Sequence, residues 1–460
     1  MDATDLAFTP ATEQARLIAA GDVSSRELVQ TYLDRIERLE PQLNAWRIVF
    51  AERALAEADQ ADARRGAGNE RPLLGVPIAI KDDIDVGGEV TAWGTAAHGG
   101  PAAQDAEVVA RLRTAGAIVL GKTNVPEMTQ WPFTETITFG ATRNPWDVER
   151  APGGSSGGTA AAVASAMVGI GVGSDGLGSI RIPAAWCGLF GIKPQRDRVP
   201  IAPHEDAWQG LSVNGPITRS VGDAALFLDA VTDDGPGFAA AAARAPGTLR
   251  VAVSTKLAAG QLARLSPDVR AAVERTAELL RSLGHDVTER DPELPGSLMV
   301  NLLSRYFRGI HDDVAQAMPH PQRLEARTRT MARIGGMIPA SFIAKQRAAE
   351  AGIAERINAI FDHADVLLQP GPVTGPPRIG QYHGRGALWT LNGVAPRVPF
   401  QGWWNGTGQP ACVVPAGFDK DGLPVGVQLV GRPGDEATLL SLSAQLEAER
   451  PWADRRPPVS

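Results

Sequence analysis

Between residues 153 and 178 the chain is dominated by glycine, alanine and serine, and this stretch limits the possible folds more than any other. Such a composition suits a flexible linker. Residues 159–167, however, form an alanine-rich helix former that runs into the apolar Val168-Gly169-Ile170-Gly171-Val172. The expectation is therefore a helix and a strand whose small side chains let backbone pack on backbone. Before it come short apolar runs bounded by Gly and Pro, at 75–80 and 117–120, separated by a helical pattern over 105–115. That alternation predicts an α/β layer structure.

The rest of the chain supports this reading. Ser24 and Glu27 form a capping-box pattern, after which Leu28, Tyr32, Ile36 and Leu39 recur at helical spacing. A second amphipathic run over 45–65 predicts another helix. Strands are expected at 249–254, 365–369, 411–415 and 425–430, and helices at 268–283, 342–364 and 436–449. The Gly/Pro/Ala stretch 234–247 reads as a surface connection, since the same patterns lie on both sides of it.

Composition narrows the function. A formal charge of -7 and a pI near 5.6 provide no basic surface for nucleic acid or an acidic membrane, which leaves a small molecule as the expected ligand. The amino terminus lacks a basic segment followed by an apolar one, and nowhere do eighteen apolar residues run uninterrupted. The two cysteines, Cys187 and Cys412, lie far apart and have no Cys or His at ligand spacing. A cytoplasmic protein without a metal or other cofactor is the expectation.

Three motifs compete for the chemistry. Gly116-Ala117-Ile118-Val119-Leu120-Gly121-Lys122-Thr123 matches a phosphate loop letter for letter, which would make the chain a nucleotide-binding protein. Its variable positions are themselves strand-like, and Pro126 falls where a helix interior should be. Gly154-Ser155-Ser156-Gly157-Gly158 matches a nucleophile elbow centred on Ser156, but the preceding residues do not resemble a buried strand. His285 and His311 each adjoin an Asp, and neither setting identifies a base.

The third match is longer. Gly153-Gly154-Ser155-Ser156-Gly157-Gly158 is followed by Gly173-Ser174-Asp175-Gly176-Leu177-Gly178-Ser179-Ile180-Arg181-Ile182-Pro183, with 24 residues from Ser155 to Ser179. Further segments accompany it: Gly75-Val76-Pro77-Ile78-Ala79-Ile80-Lys81-Asp82-Asp83, residues 121–124 and 140–146, and residues 405–411 and 422–428. Together these resemble the amidase signature family over residues 12–450.

The resemblance implies a single large α/β domain, 1–460, with a central mixed β-sheet flanked by helices on both faces. Its parts would be a helical amino-terminal region (12–66), a catalytic core (70–210) and a remainder (211–460) completing the sheet and the pocket. It implies cleavage of amide carbon–nitrogen bonds by Lys81, Ser155 and Ser179, with Ser155 after a cis peptide bond. A serine hydroxyl needs a positioned base to attack an amide. Here neutral Lys81 would withdraw a proton through Ser155 while Ser179 becomes acylated, a variant of triad logic. Burial would lower the lysine pKa, and Asp82 and Asp83 would raise it if they point inward.

Backbone N–H groups of Gly176, Leu177, Gly178 and Ser179 are the implied oxyanion donors, with Ser156, Ser174, Asp175 and Arg181 in support. Leu177 departs from the family, where a small residue is usual; a positive φ there would strain it. Tryptophans near the motifs, among them Trp131, Trp146, Trp186, Trp208, Trp403 and Trp404, suit an apolar pocket for aryl or hydrophobic acyl amides, with carbamates as secondary substrates. The expected partner is thus a small-molecule amide or carbamate, bound by a monomer or homodimer. The family also holds glutamine-hydrolysing subunits of tRNA-dependent amidotransferases, which keeps that role open as an alternative.

Overall fold

A computed structural model describes residues 2–65, 71–233 and 237–460. Thirteen strands occur among them: β1 (Trp46–Val49), β2 (Pro77–Lys81), β3 (Ile118–Thr123), β4 (Glu135–Thr136), β5 (Gly140–Ala141), β6 (Ile170–Asp175), β7 (Phe190–Lys193), β8 (Val213–Thr218), β9 (Arg250–Val253), β10 (Asp286–Glu289), β11 (Val366–Pro370), β12 (Ala411–Phe418) and β13 (Pro424–Gly431). All but the β4–β5 ribbon join one eleven-stranded sheet, ordered β1-β3-β2-β6-β8-β7-β12-β13-β11-β9-β10. It is mixed: β2 pairs in parallel with β3 and β6, whereas β6–β8 and β12–β13 are antiparallel. One sheet running from residue 46 to residue 431 makes a single α/β domain.

Successive residues on a strand point to opposite faces, and the core follows that rule. Val251, Leu368, Cys412 and Leu429 enter one apolar cluster, with the helices Ser25–Leu43, Val221–Val231 and Glu436–Glu449. Their neighbours Ala252, Leu367, Ala411 and Val430 enter another, with Trp131, Trp208, Tyr306, Trp403 and Trp404. Helices thus cover both faces, and the aromatic residues gather on one.

The capping box at Ser24 and Glu27 starts the helix Ser25–Leu43, and the closing helix spans Glu436–Glu449. Two helix expectations need correction. The run at 45–65 begins as β1, because Trp46–Val49 pairs with the edge of β3, and the helix covers only Ala51–Arg64. The run at 342–364 breaks into Ala340–Ala348, Glu350–Asn358 and a 3₁₀ turn. Glu350, at the restart, is drawn to Arg305 and Arg196. The expected connection at 234–247 falls partly outside the described residues; Phe238–Ala242 is a short helix. No helix among the described residues is long and apolar enough to cross a membrane.

Candidate active site

Parallel pairing of β2 with β6 brings their carboxyl ends to the same edge of the sheet, where an open α/β fold places its ligands. Lys81 ends β2, while Ser174 and Asp175 end β6. Ser155 and Ser156 precede the helix Gly157–Ala164, and Ser179 precedes the helix Arg181–Cys187. Small residues make that convergence possible. A Cβ on Gly171 would lie 2.2 Å from Thr159 Cγ2, and one on Gly158 would lie 2.5 Å from the Asn124 backbone nitrogen.

Lys81 is fully buried. Its Nζ lies 2.7 Å from Ser155 Oγ, 2.6 Å from Ser174 Oγ and 3.2 Å from Asp83 Oδ2. Ser174 in turn donates its hydroxyl to Asp83 at 2.5 Å. Burial pushes the lysine below its ordinary pKa, and the nearby Asp83 carboxylate opposes that shift. Asp82 faces elsewhere, paired with Lys122 and Arg47. Of the two neighbouring carboxylates, only Asp83 therefore acts directly on Lys81. The Gly154–Ser155 peptide bond is cis. Ser156 ties the two serine segments together: its N–H donates to Ser179 O and its hydroxyl to Ser174 O.

The loop carrying Ser179 hangs from Asp175. Burial alone would raise this carboxyl, but the Arg181 guanidinium holds it well below the usual carboxylate range. The pair is bidentate at 3.0 Å, and Asn405 Nδ2 donates to the same carboxylate at 2.9 Å. Arg181 also donates to Gln428 and to the backbone of Gln401. Asp175 and Arg181 are thus the anchor of the loop and lie beneath its surface.

Two features of that loop change the expectation. Gly178 takes the positive φ, 115°, and Leu177 is not among the residues with positive φ, so the leucine fits without backbone strain. The Gly178 N–H donates to Asp175 Oδ1 at 2.6 Å, which removes it from the expected oxyanion donors and leaves those of Gly176, Leu177 and Ser179. Gly176 faces the Trp208 ring, 2.6 Å from where a Cβ would sit.

Ser179 opens onto a cavity lined mainly by apolar groups, including Leu177, Ile182, Leu302, Tyr306 and Trp403. Trp131 and Trp208 also line it. The other tryptophans near the motifs are structural: the indole N–H groups of Trp146, Trp186 and Trp404 donate to Cys187 O, Thr374 O and Gln369 Oε1.

The competing motifs fail on context. Residues 118–123 of the phosphate-loop match are β3 itself, and a Cβ at Gly121 would meet Ile48 O at 2.2 Å, leaving no room for a phosphate. Its Lys122 is buried in an ion pair with Asp82. Ser156 follows an irregular segment where an elbow needs a strand. His285 bonds Leu249 N and Gln445, and His311 bonds Ala332 O. Cys187 and Cys412 are buried, their thiols pushed up by desolvation, Cys412 to about 12.

Some residues of the site carry no role in the sequence reading. Asn405 and Gln428 lie in the resembling carboxy-terminal segments, and a polar side chain amid apolar neighbours was their available signal. The cavity wall from the helix Leu298–Ala317 had none, because its cavity residues look like any helix stripe.

Comparison with known proteins agrees with this geometry. The Amidase family model matches residues 27–440. The chain is 59% identical to "Putative amidase AmiB2" of Mycobacterium tuberculosis over the full length of both. It is 34% identical to the 6-aminohexanoate-cyclic-dimer hydrolase of Paenarthrobacter ureafaciens, covering 99% of this chain and 98% of that one. Among solved structures, a 6-aminohexanoate cyclic dimer hydrolase complexed with substrate superposes with a TM-score of 0.90 at 32% identity, over 98% of this chain and 99% of that one. A bacterial aryl acylamidase does so at 0.85 and 25%, over 97% of each. A sheet whose parallel strands bring a buried lysine onto a serine, and a family match across nine-tenths of the chain, have one reading: the protein belongs to the amidase family, among the amidase signature enzymes.

Proposed function

We propose that this protein hydrolyses amides of aryl or hydrophobic acyl groups through an acyl-enzyme on Ser179. The observation that carries the reading is the contact of a buried Lys81 Nζ with Ser155 Oγ at 2.7 Å, beside a mostly apolar cavity that reaches Ser179. Uncharged Lys81 takes the Ser155 proton as Ser155 takes that of Ser179. The Ser179 oxygen bonds to the carbonyl carbon, and the negative charge passes to the carbonyl oxygen. Collapse breaks the carbon–nitrogen bond while Ser155 returns a proton to the leaving nitrogen, and water then releases the acid by the reverse route.

The amides of Gly176, Leu177 and Ser179 stabilise the oxyanion, and Ser174 and Asp83 hold Lys81 in place. A carbamate offers a similar carbonyl on nitrogen, so urethane cleavage is the secondary activity. The working form is a cytoplasmic monomer or homodimer acting on a small molecule, with no cofactor. The test is a panel of aryl anilides, aliphatic amides and carbamates, run with fluorophosphonate labelling of the wild type and Ser179→Ala. Ser179-dependent turnover of the apolar anilides supports the reading. Equal turnover by the two proteins overturns it.

A further inference from the structure

A second cavity adjoins the first. It is lined by Asp83, Ser174, His204, Asn214 and Asp313, so it reaches the groups that hold Lys81. Only Thr129 and Trp208 line both cavities. Each belongs to an unusual turn. Among the described residues, the only consecutive non-glycine pairs with positive φ are Met128–Thr129, at 52° and 53°, and Trp208–Gln209, at 53° and 55°. Such conformations are unfavourable for residues with a side chain and persist where the surroundings impose them, commonly at functional positions.

The surroundings do impose the second turn. Gln209 O accepts from Arg305 Nε and a terminal guanidinium nitrogen at 3.0 and 2.7 Å, and Gln209 Nε2 donates to Asp312 at 2.7 Å. The Trp208 indole N–H donates to Asp313 Oδ2 at 2.7 Å, and its ring meets Tyr306 edge-on with centroids 5.2 Å apart. Gly176 and Gly309 leave it space on two sides, since a Cβ at either would come within 2.7 Å of Trp208. All these anchors except Gly176 sit on the helix Leu298–Ala317.

We propose that Trp208 is a specificity-determining residue: its indole is the wall that confines substrate to the apolar cavity and shuts it off from the carboxylates of Asp83 and Asp313. The inference rests on the amidase reading and adds to it the chemistry that the wall excludes. On the near side a substrate group meets Leu177, Leu302 and Trp403, none of which carries a charge to pair with a cation. On the far side the carboxylates of Asp83 and Asp313, with Asp85 also in the lining, suit an ammonium group. With the wall in place, amides whose acyl chain ends in an ammonium are poor substrates beside chains of equal length ending in methyl.

The test uses anilides of linear acyl chains of graded length, each with a methyl or a primary ammonium terminus, assayed at pH 8. That pH lies above the value of about 7 to which burial raises Asp313. The readout is the ratio of kcat/KM for ammonium over methyl chains. Trp208→Gly suits the positive φ, and Trp208→Ala, read by the same ratio, replaces it should the glycine variant not fold. The expected result is a rise of about tenfold or more in either opened variant. Trp208→Phe, which keeps a ring in place, should show no rise, and adding Asp313→Asn to the opened variant should remove the gain. An unchanged ratio in a folded, Ser179-dependent opened variant overturns the proposal. Failure of the wild type to cleave the methyl-terminated anilides through Ser179 would instead overturn the amidase reading.

Discussion

Lys81 and Lys122 stand on adjacent parallel strands, one register step apart, with Ile80 opposite Lys122 and Lys81 opposite Thr123. Neither exposes its side chain, and burial pushes both below the ordinary lysine pKa. Their partners differ. Lys122 is held by Asp82 at 2.9 Å, with Arg47 on the same carboxylate and Thr91 Oγ1 accepting at 2.7 Å. That is an ionic cluster built on one buried carboxylate that two cations share. Lys81 meets two serine hydroxyls within 2.7 Å, and its carboxylate stands farther off at 3.2 Å. Burial is thus common to both lysines, and the proposed role of Lys81 as a base rests on the hydroxyl groups with which it can exchange protons.

The comparison breaks most visibly on turnover. Ser179→Ala should abolish acylation, and Lys81→Ala and Ser155→Ala should each lower kcat by about 10³-fold or more with cooperative unfolding retained. Steady-state rates beside thermal melts check this, and a Lys81→Ala enzyme near wild-type kcat would erase the distinction between the two lysines. Lys122→Met should behave oppositely. Removing one partner of a buried ion pair costs about 3–5 kcal/mol, so urea unfolding should shift strongly while turnover per folded molecule stays within a few-fold.

Smaller effects sharpen the picture. Asp83 favours the charged form of Lys81, so Asp83→Asn should let the lysine lose its proton at lower pH. The acid limb of the kcat/KM profile should then move to lower pH; a limb that stays or moves up contradicts the electrostatic role of Asp83. In the wild type, activity should rise with pH along a limb that lies below the ordinary lysine pKa, because burial lowers it. Leu177→Ala should have the smallest effect, a few-fold gain in relative kcat/KM for bulkier acyl groups, since Leu177 lines the cavity without backbone strain.

Much of this was legible in the residues. The small-residue run at 153–178 signalled close packing, and the contacts a Cβ would make at Gly158 and Gly171 show why larger side chains do not fit. The pair of serine segments and the lysine segment carry the three side chains proposed for catalysis, and a buried Val76–Ile80 run foretold desolvation of Lys81. Other features depend on distant contacts. Which of Asp82 and Asp83 faces Lys81 is settled by Arg47 and Lys122, on β1 and β3. The Gly178 N–H looked free to bind an oxyanion, because its partner Asp175 is held by Arg181 and by Asn405, more than two hundred residues away. Residues 45–65 read as one helix because an edge strand of four residues leaves little periodicity of its own.

The most direct test follows the acylation of Ser179 itself. Rapid mixing with an activated aryl ester or anilide, with mass analysis of the trapped adduct, gives the acylation rate against pH for the wild type and Lys81→Ala. The account predicts an adduct on Ser179 that forms faster as pH rises in the wild type, and a slow rate without that pH limb in the variant. An adduct on another residue, or the same rate and pH limb without Lys81, would contradict it.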